Sequence, residues 1–207
     1  MIIFMSEIIC ITNRKLCKGS FLGQIEKIAA ARPDRIVLRE KDLSEAEYTV
    51  LAKQVMEICD KYEVSCTLHN FVEAAAMLVA KNIHLPLPVL RTMTDEIKCC
   101  FESIGTSCHS RNEAEEAEKL GASCIAAGHI FETDCKAGMP GRGLDFLREI
   151  KSSVNIPVFA IGGISTENAE KVIGSGADGI CMMSSFMKSK DPARLISALR
   201  EVTYSCE

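Results

Sequence analysis

The sequence lacks any apolar run long enough to cross a membrane, and it lacks a strong excess of charge of either sign. A membrane-spanning helix needs roughly 18 consecutive apolar residues, and the longest candidates, residues 74–80 and 156–164, are much shorter. The 207 residues carry 24 Lys and Arg against 28 Asp and Glu, a formal net charge of −4. Since proteins that bind nucleic acid or anionic membranes present a basic surface, the sequence predicts neither partner.

From the first residues we expect no secretory leader, and the cysteine spacing is not typical of zinc sites. Residues 1–12 are apolar, but they carry no basic stretch and Glu7 interrupts them, which favours a first strand over a signal peptide. The eleven cysteines are odd in number and include no Cys-x-x-Cys pair. We therefore expect neither a disulfide framework nor a structural metal, but reduced thiols in the core of a cytoplasmic protein.

Short apolar runs alternate with longer amphipathic ones along the whole chain. The amphipathic segment 44–61 is the clearest helix, with Ser44 as N-cap and Glu47 three residues later. The predicted strands are Ile8–Thr12, Arg35–Leu38, Ser65–Leu68, Ile83–Leu85, Ile104–Cys108, Cys124–Ala127, Pro157–Ile161 and Gly179–Met183.

Eight strands alternating with helices predict a parallel sheet, because parallel neighbours need crossover helices. Eight units favour a closed (β/α)₈ barrel, with an open doubly wound sheet as the alternative. No linker or repeat divides the chain, so we expect a single domain over residues 1–207. In such a barrel, functional residues lie directly after the strands.

Glycine-rich segments near the end of the chain suggest a phosphate site. Residues 174–179 match a dinucleotide fingerprint, but they follow a helix and enter a strand, so we do not interpret them as an NAD site. Gly162 and Gly163 follow the seventh strand, and Met183 and Ser184 follow the eighth. Ordinary turns are the alternative, but backbone N–H groups at this pair of loops typically hold a phosphate in such barrels.

The segment after the sixth strand, residues 128–143, is too long and too rich in chemical groups for a simple connection. His129 lies just past the strand, where the scaffold can aim it into the mouth of the barrel, although a plain surface loop is the alternative. Charged residues 39–42 follow the second strand as either a solvated loop or an anion site. His84 lies inside a strand, which favours a structural role.

Several segments resemble a known superfamily. LREKD (38–42), GTSCHS (105–110), GHIFETDCKAGMPGRG (128–143), AIGGI (160–164) and GADGICMMS (176–184) occur in the order seen in the thiamine phosphate synthase/TenI superfamily. The resemblance covers nearly the whole chain. It implies a (β/α)₈ barrel that works on thiazole phosphate in thiamine biosynthesis.

In the synthase branch of that superfamily, Mg²⁺ and a pyrimidine diphosphate are held by the Arg and Lys of an LREK-like motif and by two aspartates. Arg39 and Lys41 match the first pair, but Asn70 and Val89 stand where the aspartates belong. Mg²⁺ prefers hard, usually anionic oxygen ligands. The resemblance therefore predicts no working diphosphate chemistry.

The other branch of the superfamily is that of TenI, a thiazole tautomerase. Its signature is Gly-His-x-Phe-Glu-Thr-Asp, and residues 128–134 resemble it at every defined position. This likeness implies that His129 moves a proton from ring C2 to the exocyclic carbon of a carboxythiazole phosphate, without metal or redox cofactor. Synthase activity with Mg²⁺ and a non-catalytic binder of thiazole or thiamine phosphates are the alternatives. The oligomeric state and the role of His69 stay open.

The resemblance also implies which residues contact the substrate. The implied phosphate ligands are Gly162, Gly163, Met183 and Ser184, and the other substrate contacts are Arg39, Lys41, Ser107, Thr133, Cys135 and Lys136.

Overall fold

The computed structural model describes residues 6–133 and 138–204 and shows a closed barrel of eight parallel strands. Each strand pairs with the next in the sequence, and β8 pairs with β1 to close the ring. This confirms the predicted (β/α)₈ barrel and excludes the open sheet. The strands are β1 Glu7–Ile11, β2 Arg35–Leu38, β3 Ser65–His69, β4 Asn82–Pro86, β5 Ser103–Cys108, β6 Cys124–Gly128, β7 Val158–Ile161 and β8 Gly179–Met182.

Helices follow the strands and cover the outside of the barrel. Within the described residues, no helix combines the length and apolar character that a membrane span requires. A short 3₁₀ turn, Arg14–Leu16, follows β1. The α-helices are α1 Phe21–Ala30, α2 Glu45–Lys61, α3 Val72–Met77, α4 Leu87–Leu90, α5 Asp95–Lys98, α6 Arg111–Lys119, α7 Gly143–Ser153, α8 Ala169–Ile173, α9 Ser184–Met187 and α10 Pro192–Tyr204.

Local sequence signals explain where the best-defined helix begins. The Ser44 hydroxyl accepts the N–H of Glu47, and the Glu47 carboxylate accepts the N–H of Ser44, which forms the predicted capping box of α2. Such a cap satisfies N–H groups that have no partner within the helix.

Two apolar layers stabilise the barrel. The larger lies between the strands and the helices and includes Ile8, Leu38, Ile83 and Ile125. The smaller lies inside the barrel and consists of Ile9, Ile11, Val37, Cys124, Phe159 and Cys181. Strands that are apolar on both faces, such as β1, β6 and β7, read as largely continuous apolar runs rather than alternating ones.

Candidate active site

A pocket with about 580 Å³ of empty space, part of it open to solvent, lies inside the barrel and reaches the carboxyl ends of its strands. One side of its wall is apolar, formed by β1, the middle of β2, and β6 to β8. The other side is polar, formed by the two ends of β2 and by β3 to β5. The apolar side consists of Ile9, Ile11, Val37, Cys124, Ala126, Phe159, Ile161 and Cys181, and the polar side of Arg35, Arg39, Thr67, His69, His84, Gly105 and Ser107.

Two histidines on adjacent strands dominate the polar side. The rings of His69 and His84 stack with their centroids 5.7 Å apart and an interplanar angle of 16°. His84 Nε2 lies 2.8 Å from Ser107 Oγ, within hydrogen-bond distance. Sequence reasoning placed Ser107 against the substrate, and the structure places it in this wall.

The surroundings keep both imidazoles neutral. Burial lowers the pKa of His84 to about 4, and the nearby guanidinium groups of Arg35 and Arg39 add to the effect. Burial also lowers the pKa of His69 well below its ordinary value, with further contributions from His84, Arg39 and Lys41. Near pH 7, these rings therefore act as neutral hydrogen-bonding groups.

The structure places the His84 ring in the cavity wall, whereas its position inside a strand had favoured a structural role. The missed signal was strand alternation. Ile83 and Leu85 are fully buried in the outer apolar layer, so the residue between them must point to the opposite face of β4. In a closed barrel that face is the interior.

His129 follows β6 and is 7% exposed. Its Nε2 lies 3.1 Å from the carbonyl oxygen of Pro140 and 3.4 Å from that of Met139. Carbonyl oxygens only accept hydrogen bonds, so Nε2 carries the proton and Nδ1 is the basic nitrogen. Among the described residues, the set that lines the cavity does not include His129. Its catalytic role remains a prediction.

The glycines after β7 have a packing reason in addition to the predicted phosphate site. A Cβ on Gly162 would collide with the Cβ of His129, and one on Gly163 would lie 2.5 Å from the carbonyl oxygen of Glu132. Both also have positive φ, +104° and +66°. The segment after β6 therefore lies directly on this pair, and Phe131 N–H donates to the Gly162 carbonyl at 3.0 Å.

The remaining predicted contacts lie in different parts of the mouth. Arg39 lines the cavity, whereas Met183 and Ser184 lie where α9 begins, just after β8. Thr133 is the last residue before the undescribed segment. Cys135 and Lys136, together with Asp134 of the signature, lie outside the described residues.

The side chains at positions 70 and 89, where the resemblance expects two aspartates, do not fit Mg²⁺. Asn70 offers an amide, and Val89 offers only a hydrocarbon side chain that packs against the core from α4. Glu40 is 2% exposed and already accepts several hydrogen bonds from Thr12 and Arg14. Within residues 6–133 and 138–204, no three His, Cys, Asp or Glu side chains are grouped to hold a metal ion.

Comparison with known proteins identifies the family. A family model described as "Thiamine monophosphate synthase" (TMP-TENI) matches residues 8–186. The chain belongs to this family. It is 35% identical to a thiamine-phosphate synthase of Caldanaerobacter subterraneus over 199 residues, covering 93% of this chain and 91% of the relative. It is 34% identical to one from Clostridium acetobutylicum, covering 90% of each chain.

A solved structure agrees with this assignment. The chain superimposes on a thiamine phosphate pyrophosphorylase from Pyrococcus furiosus with a TM-score of 0.82 and 30% identity, covering 95% of each chain. These results confirm the superfamily resemblance. The names of the relatives support the synthase alternative better than the predicted tautomerase, so the specific reaction rests on the residues of the site.

Proposed function

We propose that this family member is a thiazole tautomerase-like isomerase that aromatises a carboxythiazole phosphate tautomer. One observation carries the proposal: the cavity wall offers neutral imidazoles, hydroxyls and arginines, but no carboxylate among its described residues. A proton shift within one molecule needs an acid–base group and no metal. Joining thiazole phosphate to a pyrimidine diphosphate needs Mg²⁺, which prefers carboxylate ligands.

The substrate carries anionic groups that match the two sides of the mouth. In the proposal, Gly162, Gly163, Met183 and Ser184 bind its phosphate through backbone groups and a hydroxyl. The ring then lies near Ser107, Thr133, Cys135 and Lys136. Arg39 and Lys41 face the carboxylate across the cavity.

His129 performs the proton transfer in this proposal. Its Nδ1 removes the proton from ring C2, and the imidazolium that forms returns a proton to the exocyclic carbon, so the net change is a shift of one proton. The Pro140 carbonyl that accepts from Nε2 holds the required tautomer and stabilises the transient positive charge. His84 is not the base in this proposal, because its pKa of about 4 leaves little affinity for a proton near pH 7.

Thiamine phosphate synthase is the second candidate, and the names of the relatives favour it. Arg39 and Lys41, the cations that would hold a diphosphate, are retained, with Lys136 as a third. Against it stand Asn70 and Val89, neither of which supplies the anionic oxygen that Mg²⁺ requires.

One pair of incubations separates the candidates. The protein is given the ylidene tautomer alone and, separately, thiazole phosphate with pyrimidine diphosphate and Mg²⁺, with products followed by liquid chromatography. We expect aromatisation in the first and no condensation in the second. Condensation at an ordinary enzymatic rate would overturn the proposal in favour of the synthase. Binding without turnover would indicate a non-catalytic thiazole phosphate binder.

A matched variant sharpens the second incubation. Asn70→Asp combined with Val89→Asp restores the two carboxylates that the resemblance expects. If the missing metal ligands alone silence synthase chemistry, this variant gains Mg²⁺-dependent condensation over the unsubstituted protein.

A further inference from the structure

Glu40 is a buried carboxylate at the mouth of the barrel, in the chain between two cations, Arg39 and Lys41. Only 2% of its surface is exposed. Its Oε1 accepts the Thr12 hydroxyl at 2.7 Å. The N–H of Arg14 donates to both carboxylate oxygens, at 3.0 and 3.1 Å, and Arg14 Nη1 donates to Oε2 at 3.2 Å. Every one of these donors belongs to the segment that follows β1.

The Thr12 hydroxyl connects Glu40 to the backbone of Arg39. It donates to the Glu40 carboxylate and accepts the Arg39 N–H at 3.0 Å. Thr12 is itself fully buried, so water does not compete for these bonds. The position of Arg39, whose side chain lines the cavity, is therefore linked to Glu40 through a single hydroxyl.

The same carboxylate is linked to the part of the mouth that follows β8, two strands away around the barrel. Arg14 begins the 3₁₀ turn 14–16, which packs against α9, the helix that starts at Ser184 after β8. Arg14 also forms a two-pronged ion pair with Asp42, at 2.6 and 2.8 Å. Glu40, at the end of β2, is thus hydrogen-bonded to the segment that follows β1. The 3₁₀ turn in that segment packs in turn against α9, which follows β8.

We propose that Glu40 is a positioning residue: it fixes the end of β2 so that Arg39 and Lys41 meet the anionic groups of the ligand at a set distance. The inference rests on the proposed function only in that those two cations contact an anionic substrate, which both candidate activities share. A displacement of about 1 Å at such groups lowers rates or affinities by up to about 100-fold.

The principal variant is Glu40→Gln, which keeps the size but replaces one acceptor oxygen with an NH₂ that repels the Arg14 donors. We expect affinity for the aromatic carboxythiazole phosphate, and for inorganic pyrophosphate, to fall at least about tenfold in isothermal titration calorimetry. If the variant does not fold, Thr12→Val, which removes only the linking hydroxyl, provides the same measurement.

Asp34→Asn is the matched control. Asp34 likewise accepts a backbone N–H and an arginine, from Ile8 at 2.7 Å and Arg200 at 2.6 Å, but at the opposite end of the barrel. We expect it to lower the midpoint of urea unfolding without changing the affinity for either ligand. A Glu40→Gln protein that loses stability but binds both ligands as tightly as the unsubstituted chain would show a purely structural role and overturn the inference.

A double-mutant cycle tests whether Glu40 acts through Arg39. If it does, Glu40→Gln weakens binding much less in the Arg39→Met background than in the unsubstituted protein. Full additivity would contradict the inference. If the unsubstituted protein binds neither ligand, the proposed function and this inference both fail, whereas tight binding that is insensitive to Glu40→Gln removes only the latter.

Discussion

The two sides of the barrel mouth are built in different ways. On the β2–β5 side, side chains line the cavity: Arg39, His69, His84 and Ser107. On the β6–β7 side, backbone lies against backbone, with Gly162 and Gly163 pressed beneath the segment that carries His129. A site made of backbone depends on a few glycines, whereas one made of side chains changes with every substitution.

This difference bears on the choice between the proposed tautomerase and its synthase alternative. The glycine side carries the features that resemble a phosphate site. Asn70 after β3 and Val89 in α4 stand where the resemblance expects carboxylates. On the proposed function, we infer that the backbone side anchors the ligand and that the side-chain wall and His129 determine the reaction.

The largest effect is expected for His129→Asn. Positioned acid–base groups contribute about 10²–10⁴-fold to rates, so turnover of the tautomer should fall by that order while ligand affinity stays nearly unchanged. Steady-state rates and calorimetry on the same variant provide the measurement. Weakened binding with a rearranged loop would instead mean that the bond to the Pro140 carbonyl serves only to hold the loop. Undiminished turnover would exclude His129 from the mechanism.

Gly162→Ala should cost stability on the backbone side. The added methyl group meets the Cβ of His129, and the alanine must also adopt φ near +104°. Gly19→Ala is the control, since Gly19 has a similar φ of +108° but no atom within 4 Å of the added Cβ. We expect Gly162→Ala to lower the free energy of unfolding by about 1–3 kcal/mol more than the control. If urea titrations give equal decreases in unfolding free energy for Gly162→Ala and Gly19→Ala, the segment after β6 moves aside from the added methyl group at little cost.

The side-chain wall should make folding stability depend on pH. Burial lowers the folded pKa of His84 to about 4, whereas the unfolded chain titrates near the ordinary value of 6.5. The unfolded state therefore binds more protons between these values. Stability is fully present above about pH 6.5 and falls by roughly 1.4 kcal/mol per pH unit for each such proton as pH decreases.

His84→Gln tests this dependence. The variant keeps a hydrogen-bonding group near Ser107 but cannot titrate, so its unfolding free energy should vary less between pH 6.5 and 4 than that of the unsubstituted protein. Carboxylates common to both chains cancel in the difference. If the unfolding free energies of the two proteins depend on pH in the same way, His84 has the same pKa in the folded and unfolded chains, and the expectation is wrong.

The fold was largely predictable from the sequence, because most strands of the barrel are marked by a short apolar run. All eight predicted strands agree with the structure to within one residue at each end. The capping box at Ser44 is a local signal and was equally readable. Both the strands and the helix cap are determined by residues close together in the sequence, so local sequence patterns predict them.

The site was less predictable, because it depends on contacts between strands. The stacking of His69 on His84 joins residues of adjacent strands, and the burial that neutralises them comes from the whole barrel. The buried role of Glu40 was hidden within a charged run that resembled a solvated loop. The contacts between His129 Nε2 and the carbonyl oxygens of Met139 and Pro140 likewise join residues ten and eleven positions apart, which local sequence patterns do not reveal.

The smallest effect is expected for the cysteines. Moving a proton between two carbons needs no covalent intermediate, so Cys135→Ser should retain nearly full turnover even though Cys135 precedes Lys136 in the sequence. Within the cavity wall, burial raises the pKa of Cys124 and Cys181, which keeps both thiols protonated and unreactive. Cys124→Ser is therefore a useful companion variant. Near-complete loss of rate in Cys135→Ser, with ligand binding intact, would establish a thiol step and assign the chemistry to Cys135 rather than to His129.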